Sequence, residues 1–499
     1  MALVGIDAGT TACKVTAFST EGRVLASARK EYRLHHPRDG WAELVPQEIW
    51  EAVVYGLRKV MEESEEPVQG MAVSSQGEGL VLLDERMEAA GHAIVSFDLR
   101  TLEQTRRLKE VFGNRYFFDK GGQLLSSMGT ATKIMWCREN PGYFQRPPKY
   151  FMCVGDYILF RLTGEMVSDF SLASRTMMVD IKNRCWNQEL LSYIGISESQ
   201  LPALAQAGTY VGKLTKQAAE EIGGSPEILM AVGGHDQPCA MLGTGANGKG
   251  EATYSLGTTE TLVCAMEDFR EGLYDIGLPC YPHVLKGRYI TLPGNFTGGN
   301  LLGWYGKNFG DKESFIAVNK NRDIYDILME EMDEEISPVL VLPHFTVTGS
   351  PWNDSESSGI ITGLQLSTTK GQYLRGLQEG VTMEILLNLL LLRQIGTWEK
   401  LLYVVGGGTK SRKLLQLKAD VLGTRLYVPK ISESPCRGAA LLAGQGCGLF
   451  QHPENVWIQP VDETRIWNPR REMHEKYLEK FKKYERLYPA VKAIFSNNG

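Results

Sequence analysis

Two short runs pair a glycine with successive threonines, Asp7-Ala8-Gly9-Thr10-Thr11 and Leu256-Gly257-Thr258-Thr259, and each directly follows a β-type segment. Glycine lets the backbone turn tightly and approach a ligand. Threonine hydroxyls and successive N–H groups then form a concave donor surface that suits phosphate oxygens. One such run is an ordinary turn between strands. Two of them, one near the start of each half, point to two related domains facing one polyphosphate. Asp7, two residues before Gly9, either anchors the turn or stands where Mg²⁺ and its waters would be held. Lys14, on the next strand, either reaches a phosphate as a point charge or faces solvent.

A second group of polar residues sits after apolar segments. Val232-Gly233-Gly234-His235-Asp236-Gln237 places an acid just past a strand and two glycines, where α/β proteins build their sites. For a lone Asp, N-capping of a following helix at Pro238–Leu242 is the ordinary role; across from a phosphate site, a general base is the sharper one. Ser75-Gln76-Gly77-Glu78-Gly79 and Phe97-Asp98-Leu99-Arg100 bring Gln, Glu and Asp to strand ends. Together they suit a polyhydroxylated ligand, whose hydroxyls both donate and accept; singly each is a turn residue. His235 reads as a structural neighbour, with no second His at metal-ligand spacing.

These residues need a mixed α/β frame. Strands are expected at Leu3–Ile6, Lys14–Phe18 and Val24–Ala28, the last two joined by the turn Thr20-Glu21-Gly22. Pro46 opens a helix with Ile49, Val53, Leu57, Val60 and Met61 at helical spacing, and strands return at Met71–Ser74 and Leu80–Leu83. The second half repeats the character, with strands at Ala252–Leu256, Thr261–Ala265, Tyr289–Leu292, Val339–Leu342 and Leu402–Val405. A long helix carrying Leu374, Leu377, Val381, Ile385, Leu389 and Leu392 joins the last two. Gly406–Gly408 then turn into a helix bearing Leu414, Leu417 and Val421, a recurring approach to a nucleotide that lacks the Rossmann glycine register. A surface helix is expected for the stretch with Met473, Tyr477, Phe481, Tyr484 and Tyr488.

At 499 residues the chain exceeds one core and divides, on this reading, into 1–246 and 247–499. The glycine-rich Gly243–Gly250 marks the boundary. Gly243, Gly248 and Lys249 fall at P-loop spacing, but Gly250 replaces the required Ser or Thr and a strand follows, so the segment reads as a linker. A net charge of −6 argues against a general nucleic-acid or anionic-membrane surface. Nine cysteines without a Cys-x-x-Cys pair fit a reducing cytoplasm, and no secretion signal opens the chain. The apolar run Val381–Leu392 is too short and too polar to span a bilayer.

Taken together, the motifs resemble the FGGY family of carbohydrate kinases over nearly the whole chain. The resemblance implies two ribonuclease H-like domains of the actin, hexokinase and Hsp70 superfamily, with a nucleotide and sugar cleft between them, and transfer of the γ-phosphate of Mg·ATP to a sugar or polyol hydroxyl. It carries ATP binding to Gly9, Thr10, Thr11, Lys14, Gly257, Thr258 and Thr259, and to Gly299, Gly407 and Gly408, with Mg²⁺ at Asp7. It makes Asp236 the catalytic base and implies substrate binding at Gln76, Gly77, Glu78, Asp98 and Gln237. Gly406–Gly408, Ser411 and Ala419–Gly423 match the family's adenosine region. The departures lie mostly around the sugar. Gln-Gly-Glu-Gly stands at 76–79, where xylulokinases resemble Gln-Met-His-Gly and glycerol kinases Gln-Arg-Glu-Thr. Phe97 replaces a polar neighbour, Val347-Thr348-Gly349-Ser350 takes the place of a Gly-Glu-Arg motif, and Glu433–Ala440 departs from the usual late segment.

A ketopentose such as xylulose is the expected substrate, with glycerol or another polyol as the alternative. An actin- or Hsp70-like ATPase would share the phosphate loops without needing Asp236 or the 76–78 loop; a non-catalytic sugar sensor would be expected to lose the base or a loop threonine, and both are intact. The expected partners are a small sugar or polyol, ATP and a second copy of the chain as a homodimer, with no nucleic acid and no membrane.

Overall fold

The computed structural model describes residues 1–248, 250–346, 348–354, 356–396, 400–431 and 433–495. Lys249 of the P-loop-like spacing and Val347 of the missing Gly-Glu-Arg motif lie outside them.

β1 (Ala2–Ala8), β2 (Ala12–Ser19) and β3 (Val24–Glu31) form an antiparallel meander. Side chains alternate across a strand, so β1 serves two cores. Val4 and Ile6 pack with Ile49, Val53 and Leu57 of α1 (Pro46–Glu63), while Leu3 faces the opposite side of the sheet. Pro46 sits at the start of α1, where its missing N–H is no loss, and Met61 is only half-buried. β4 (Val68–Ser75) adds in parallel to β1, β5 (Tyr210–Lys213) forms an antiparallel edge, and β6 (Leu229–His235) lies parallel between β5 and β4. The sheet order is β5-β6-β4-β1-β2-β3.

α2 (Asp236–Thr244) leads into the second half. There β7 (Glu251–Leu256), β8 (Glu260–Met266) and β9 (Tyr289–Thr291) are again antiparallel neighbours. α3 (Lys370–Gln394) buries Leu377, Val381, Ile385 and Leu389, and β10 (Leu401–Val405) follows in parallel beside β7. α4 (Arg412–Leu422) precedes β11 (Arg425–Tyr427), parallel to β10, and β12 (Ile466–Trp467) closes the edge antiparallel. The central order, β9-β8-β7-β10-β11-β12, repeats the first sheet's pattern of an antiparallel meander, two parallel strands and an antiparallel edge, with the last two strands in the opposite chain order. This is why the Gly-Thr-Thr run occurs twice: each copy is the hairpin turn between the first two strands of its sheet.

α5 (Ser434–Gly446) comes late in the chain yet packs on the first sheet, its Ala439, Ala440 and Ala443 against Leu3, Ala72 and Ala231. Glycine makes that approach possible. A Cβ on Gly5 would lie 1.8 Å from the Cys436 carbonyl oxygen. Where α5 crosses α2, a Cβ on Gly438 would lie 1.9 Å from the Cys239 oxygen, and one on Gly243 1.9 Å from the Ser434 oxygen. Gly243 is therefore part of a helix crossing and not of a loop, and the connection begins only at Gly245, the left-handed cap of α2.

The carboxyl-terminal stretch forms two helices, α6 (Arg471–Tyr484) and α7 (Leu487–Phe495), and Tyr477, Phe481, Tyr484 and Tyr488 are all buried. The spacing indicated one surface helix. The aromatics instead reach polar groups inside the second half, with Tyr477 Oη donating to Glu379 Oε1 at 2.8 Å. No helix among the described residues is long and apolar enough to cross a membrane.

Candidate active site

Three parallel strands of the first sheet end at one level. Asp7 on β1 is in register with Ser74 on β4, and Ser75 is in register with His235 on β6. The residues beyond these ends are the Gly9–Thr11 turn, the Gln76–Gly79 loop and Asp236. β6 reaches this level through an irregularity between Ala231 and Gly234, where a Cβ on Gly233 would lie 1.8 Å from the Val73 oxygen. Only glycine allows strands that close.

Asp236 is the first residue of α2, and His235 is the N-cap, without a side-chain capping bond. Asp236 therefore does not serve as the helix cap, and its carboxylate is left for other work. Burial, then the charges of Asp7 and Glu78, push its pKa up to about 8, against smaller opposing pulls from the Gln237 N–H and Arg175. His235 Nε2 stands 3.2 Å from Asp236 Oδ1, and its Nδ1 lies 2.9 Å from Tyr281 Oη. Burial, then Arg175, hold His235 well below its ordinary pKa, so the ring is neutral. With Asp236 ionised, the tautomer that satisfies both contacts has Tyr281 donating to Nδ1 and Nε2–H donating to the carboxylate. Gln237, half-buried, occupies the next position of α2.

Gln76 lies against the Gly9–Thr11 turn. Its Nε2 donates to the Gly9 carbonyl at 3.2 Å and its Oε1 accepts from Thr10 Oγ1 at 3.1 Å, so it braces the turn. Gly77 passes over His235 and Arg175; a Cβ there would lie 3.0 Å from His235 Nε2 and 3.1 Å from Arg175 Cγ. Glu78, held at a φ of 56°, pairs with Arg175. Beneath this loop the buried Lys133 ammonium donates to the carbonyls of Glu78 and Met128, each at 2.7 Å, and burial lowers its pKa to about 8. Asp98 stands apart from this group. Its oxygens accept from Ala42 N at 2.7 Å and from Arg100 N, Nε and Nη2 at 2.7–2.9 Å, and Arg100 is packed 3.9 Å from the Trp41 ring.

Arg175, Tyr281 and Lys133 were not legible as site residues. Arg175 interrupts the small and apolar run Leu172-Ala173-Ser174-Arg175-Thr176-Met177, which is the one signal available for it. Tyr281 belongs to the other half of the chain.

On the second sheet, Gly257 N–H closes its turn on the Thr259 carbonyl at 3.1 Å, as Gly9 N–H closes the first on Ala12 at 3.0 Å. Thr11 and Thr258 are exposed at the tips and Thr10 half-buried. Gly299 N–H donates to the Gly257 carbonyl at 3.0 Å, and a Cβ on Gly299 would sit 2.7 Å from that oxygen. Gly406, at a φ of +98°, is pressed against the Leu256 carbonyl, and Gly408 against its side chain, while Gly407 faces open space. A 3-10 turn, Gly407–Lys410, intervenes before α4. Behind the turn, Lys418 Nζ lies 2.7 and 2.8 Å from the two oxygens of the buried Glu260. Lys14 points across to Glu433, 2.9 Å away, and so pairs with a residue at the start of α5.

Asp7 accepts from Ser74 Oγ at 3.2 Å, and burial raises its pKa to about 6 against the pull of Lys14. Its charge is also one of those raising Asp236. Carboxylates such as these are the hard oxygen donors that Mg²⁺ takes together with water and phosphates. No grouping of three or more His, Cys, Asp or Glu that could hold a metal occurs among the described residues.

Comparison with known proteins places the chain in one family. Residues 2–243 match the N-terminal domain of the FGGY family of carbohydrate kinases and residues 252–447 its C-terminal domain. The chain is 27% identical over 495 residues to the xylulose kinase of Bacillus subtilis (strain 168), covering 99% of this chain and 97% of that one. It is 29% identical over 462 residues to the glycerol kinase of Citrifermentans bemidjiense, covering 90% of each. The crystal structure of a xyloylose kinase from Brucella ovis superimposes with a TM-score of 0.89 at 25% identity, over 99% of this chain and 100% of that one.

Proposed function

The chain belongs to the FGGY family of carbohydrate kinases and is a phosphotransferase, and we propose that it transfers the γ-phosphate of ATP to a hydroxyl of a ketopentose such as xylulose, with Asp236 as general base. The observation that carries this reading is the placement of Asp236: an unspent carboxylate at the level of the Gly9–Thr11 turn, oriented by neutral His235 at 3.2 Å. A carboxylate held this way accepts the proton of the attacking hydroxyl as the oxygen–phosphorus bond forms and the bond to the leaving ADP breaks.

The rest of the site positions. Thr10, Thr11 and Lys14 from one sheet, and Gly257, Thr258 and Thr259 from the other, hold the phosphates, while Gly299, Gly407 and Gly408 line the adenosine side. Asp7 would hold Mg²⁺, whose charge offsets that of the phosphates when bound. Glu78, Gly77 and Gln237 face the sugar, Gln76 links its loop to the phosphate turn, and Asp98 acts through Arg100 on the wall of the pocket. The boundary between 246 and 247, which falls just after α2, is part of the same proposal, as are a cytoplasmic location, supported by nine free cysteines, and a homodimer. A glycerol or other polyol kinase is the second reading, favoured by the glycerol kinases among the relatives.

The test is phosphoryl transfer across a panel of ketoses, aldoses and polyols, scored by kcat/KM, for the wild type and Asp236→Asn. Loss of the base should lower sugar phosphorylation about 10²-fold or more with ATP binding kept. Near-wild-type turnover removes Asp236 from the mechanism, and an ATPase indifferent to every sugar overturns the kinase reading.

A further inference from the structure

The acceptor side of the site contains two donors that the protein itself leaves unused. Arg175 is fixed on three sides. Its Nη1 donates to Gln123 Oε1 at 2.8 Å, its Nη2 pairs with Glu78, and its guanidinium lies 5.2 Å from the Tyr281 ring centre. This leaves Arg175 Nε and Gln123 Nε2, both buried and both without a protein hydrogen-bond partner. Buried N–H groups are paired as a rule, so two adjacent exceptions beside the candidate base ask for an acceptor from outside the chain. They also lie on the seam between the halves. Cys280 N–H donates to the Gly122 carbonyl at 2.7 Å, next to Gln123, and Tyr281 covers Arg175, so separating the halves uncovers both donors.

The charge around them limits what the acceptor can be. Glu78 already balances Arg175, and the pKa of Asp236 is raised by the neighbouring charges of Asp7 and Glu78. A sugar carboxylate would add a further negative charge to this group. A hydroxyl placed between two donors must still send its own proton elsewhere, whereas a carbonyl oxygen has lone pairs and no proton.

We propose that Gln123 and Arg175 bind the carbonyl oxygen of a ketose and so select ketoses over the corresponding polyols and sugar acids. The proposal rests on the kinase reading above and adds to it two specificity-determining residues outside the matched motifs.

The experiment measures kcat/KM on the full chain with ATP for each 2-ketopentose, the pentitol obtained by reducing it, and the matching pentonate. The wild type should favour one ketose over its pentitol by about 10²-fold or more, as sites that hydrogen-bond a substrate oxygen discriminate strongly. Gln123→Met removes the donor, and with it the acceptor of Arg175 Nη1, at similar size and should narrow that ratio about tenfold through the ketose KM with the ATP KM kept. Gln123→Glu keeps the acceptor for Arg175 Nη1 but exchanges the donor for a second acceptor, and should narrow the ratio further. A wild type that takes pentitols or pentonates as readily as ketoses overturns the proposal, without any variant having to fold. So does a folded Gln123→Met that lowers ketose and pentitol turnover alike. Either result leaves the kinase reading standing; failure to phosphorylate any sugar or polyol overturns that reading and this proposal with it.

Discussion

Gly438→Ala should both destabilise the protein and impair catalysis, although it replaces a helical glycine by the best helix former. The added Cβ would lie 1.9 Å from the Cys239 carbonyl oxygen and 2.7 Å from the carbonyl carbon. A carbon approaches a carbonyl oxygen to about 3.3 Å at closest, so α2 and α5 must separate by roughly 1.4 Å. Both sides of this contact are helix backbone, and no side chain can rotate away. Helix propensity favours alanine by about 1 kcal/mol, whereas overpacking costs about 1–3 kcal/mol and, against rigid backbone, reaches or passes the upper figure. The steric cost wins by about 2 kcal/mol. For a folding unit of roughly 250 residues that is a fall in Tm of about 4 °C.

Because α2 begins at Asp236, the same displacement moves the candidate base. A shift on the order of 1 Å lowers kcat about 10²-fold while ATP binding changes little. The assay is thermal unfolding together with sugar-dependent turnover. The control is Gly212→Ala, where an added Cβ meets nothing within 4 Å. A Gly438→Ala protein with wild-type Tm and kcat would refute the argument that direct backbone contact sets the position of α2.

Two further outcomes follow from buried charges. Lys133→Met takes the ammonium away from the carbonyls of Glu78 and Met128 and should raise the sugar KM at least about tenfold with the ATP KM unchanged; an equal change in both would show that Lys133 serves the whole fold and not the loop. Asp156, buried in the helix Val154–Thr163, has its pKa raised by desolvation from the usual carboxylate value to about 7. It is protonated in both folded and unfolded chains at low pH and costs stability only as it ionises, so the wild type loses stability as pH rises from about 4 to 7. Asp156→Asn removes that cost, and its stability relative to wild type should increase over this window by up to about 4 kcal/mol. Equal Tm differences at pH 5 and pH 8 would refute it.

What could be read from the sequence was local. The Gly-Thr-Thr turns show as short glycine–threonine runs directly after apolar strand segments. The amphipathic face of α1 shows in the spacing of Ile49, Val53 and Leu57, and the strand that ends before Asp236 shows in its apolar run. The same local rules leave Asp236 open between a helix cap and a base, because capping is decided by the dihedral angles of His235. They also read Gly243 as a linker residue, because its partner Gly438 is nearly two hundred positions away.

The recurrence of the Gly-Thr-Thr run, with the order of strands around it, was enough to indicate two related halves, since hairpin turns and hydrophobic alternation are properties of neighbouring residues. The acceptor side was decided by tertiary structure alone. Gln123, Arg175 and Glu78 come from separate segments of the first half, Tyr281 joins Arg175 and His235 from the second, and the desolvation that raises the pKa of Asp236 to about 8 exists only in the folded state. Pattern follows the chain, whereas burial and charge depend on what the fold brings alongside it.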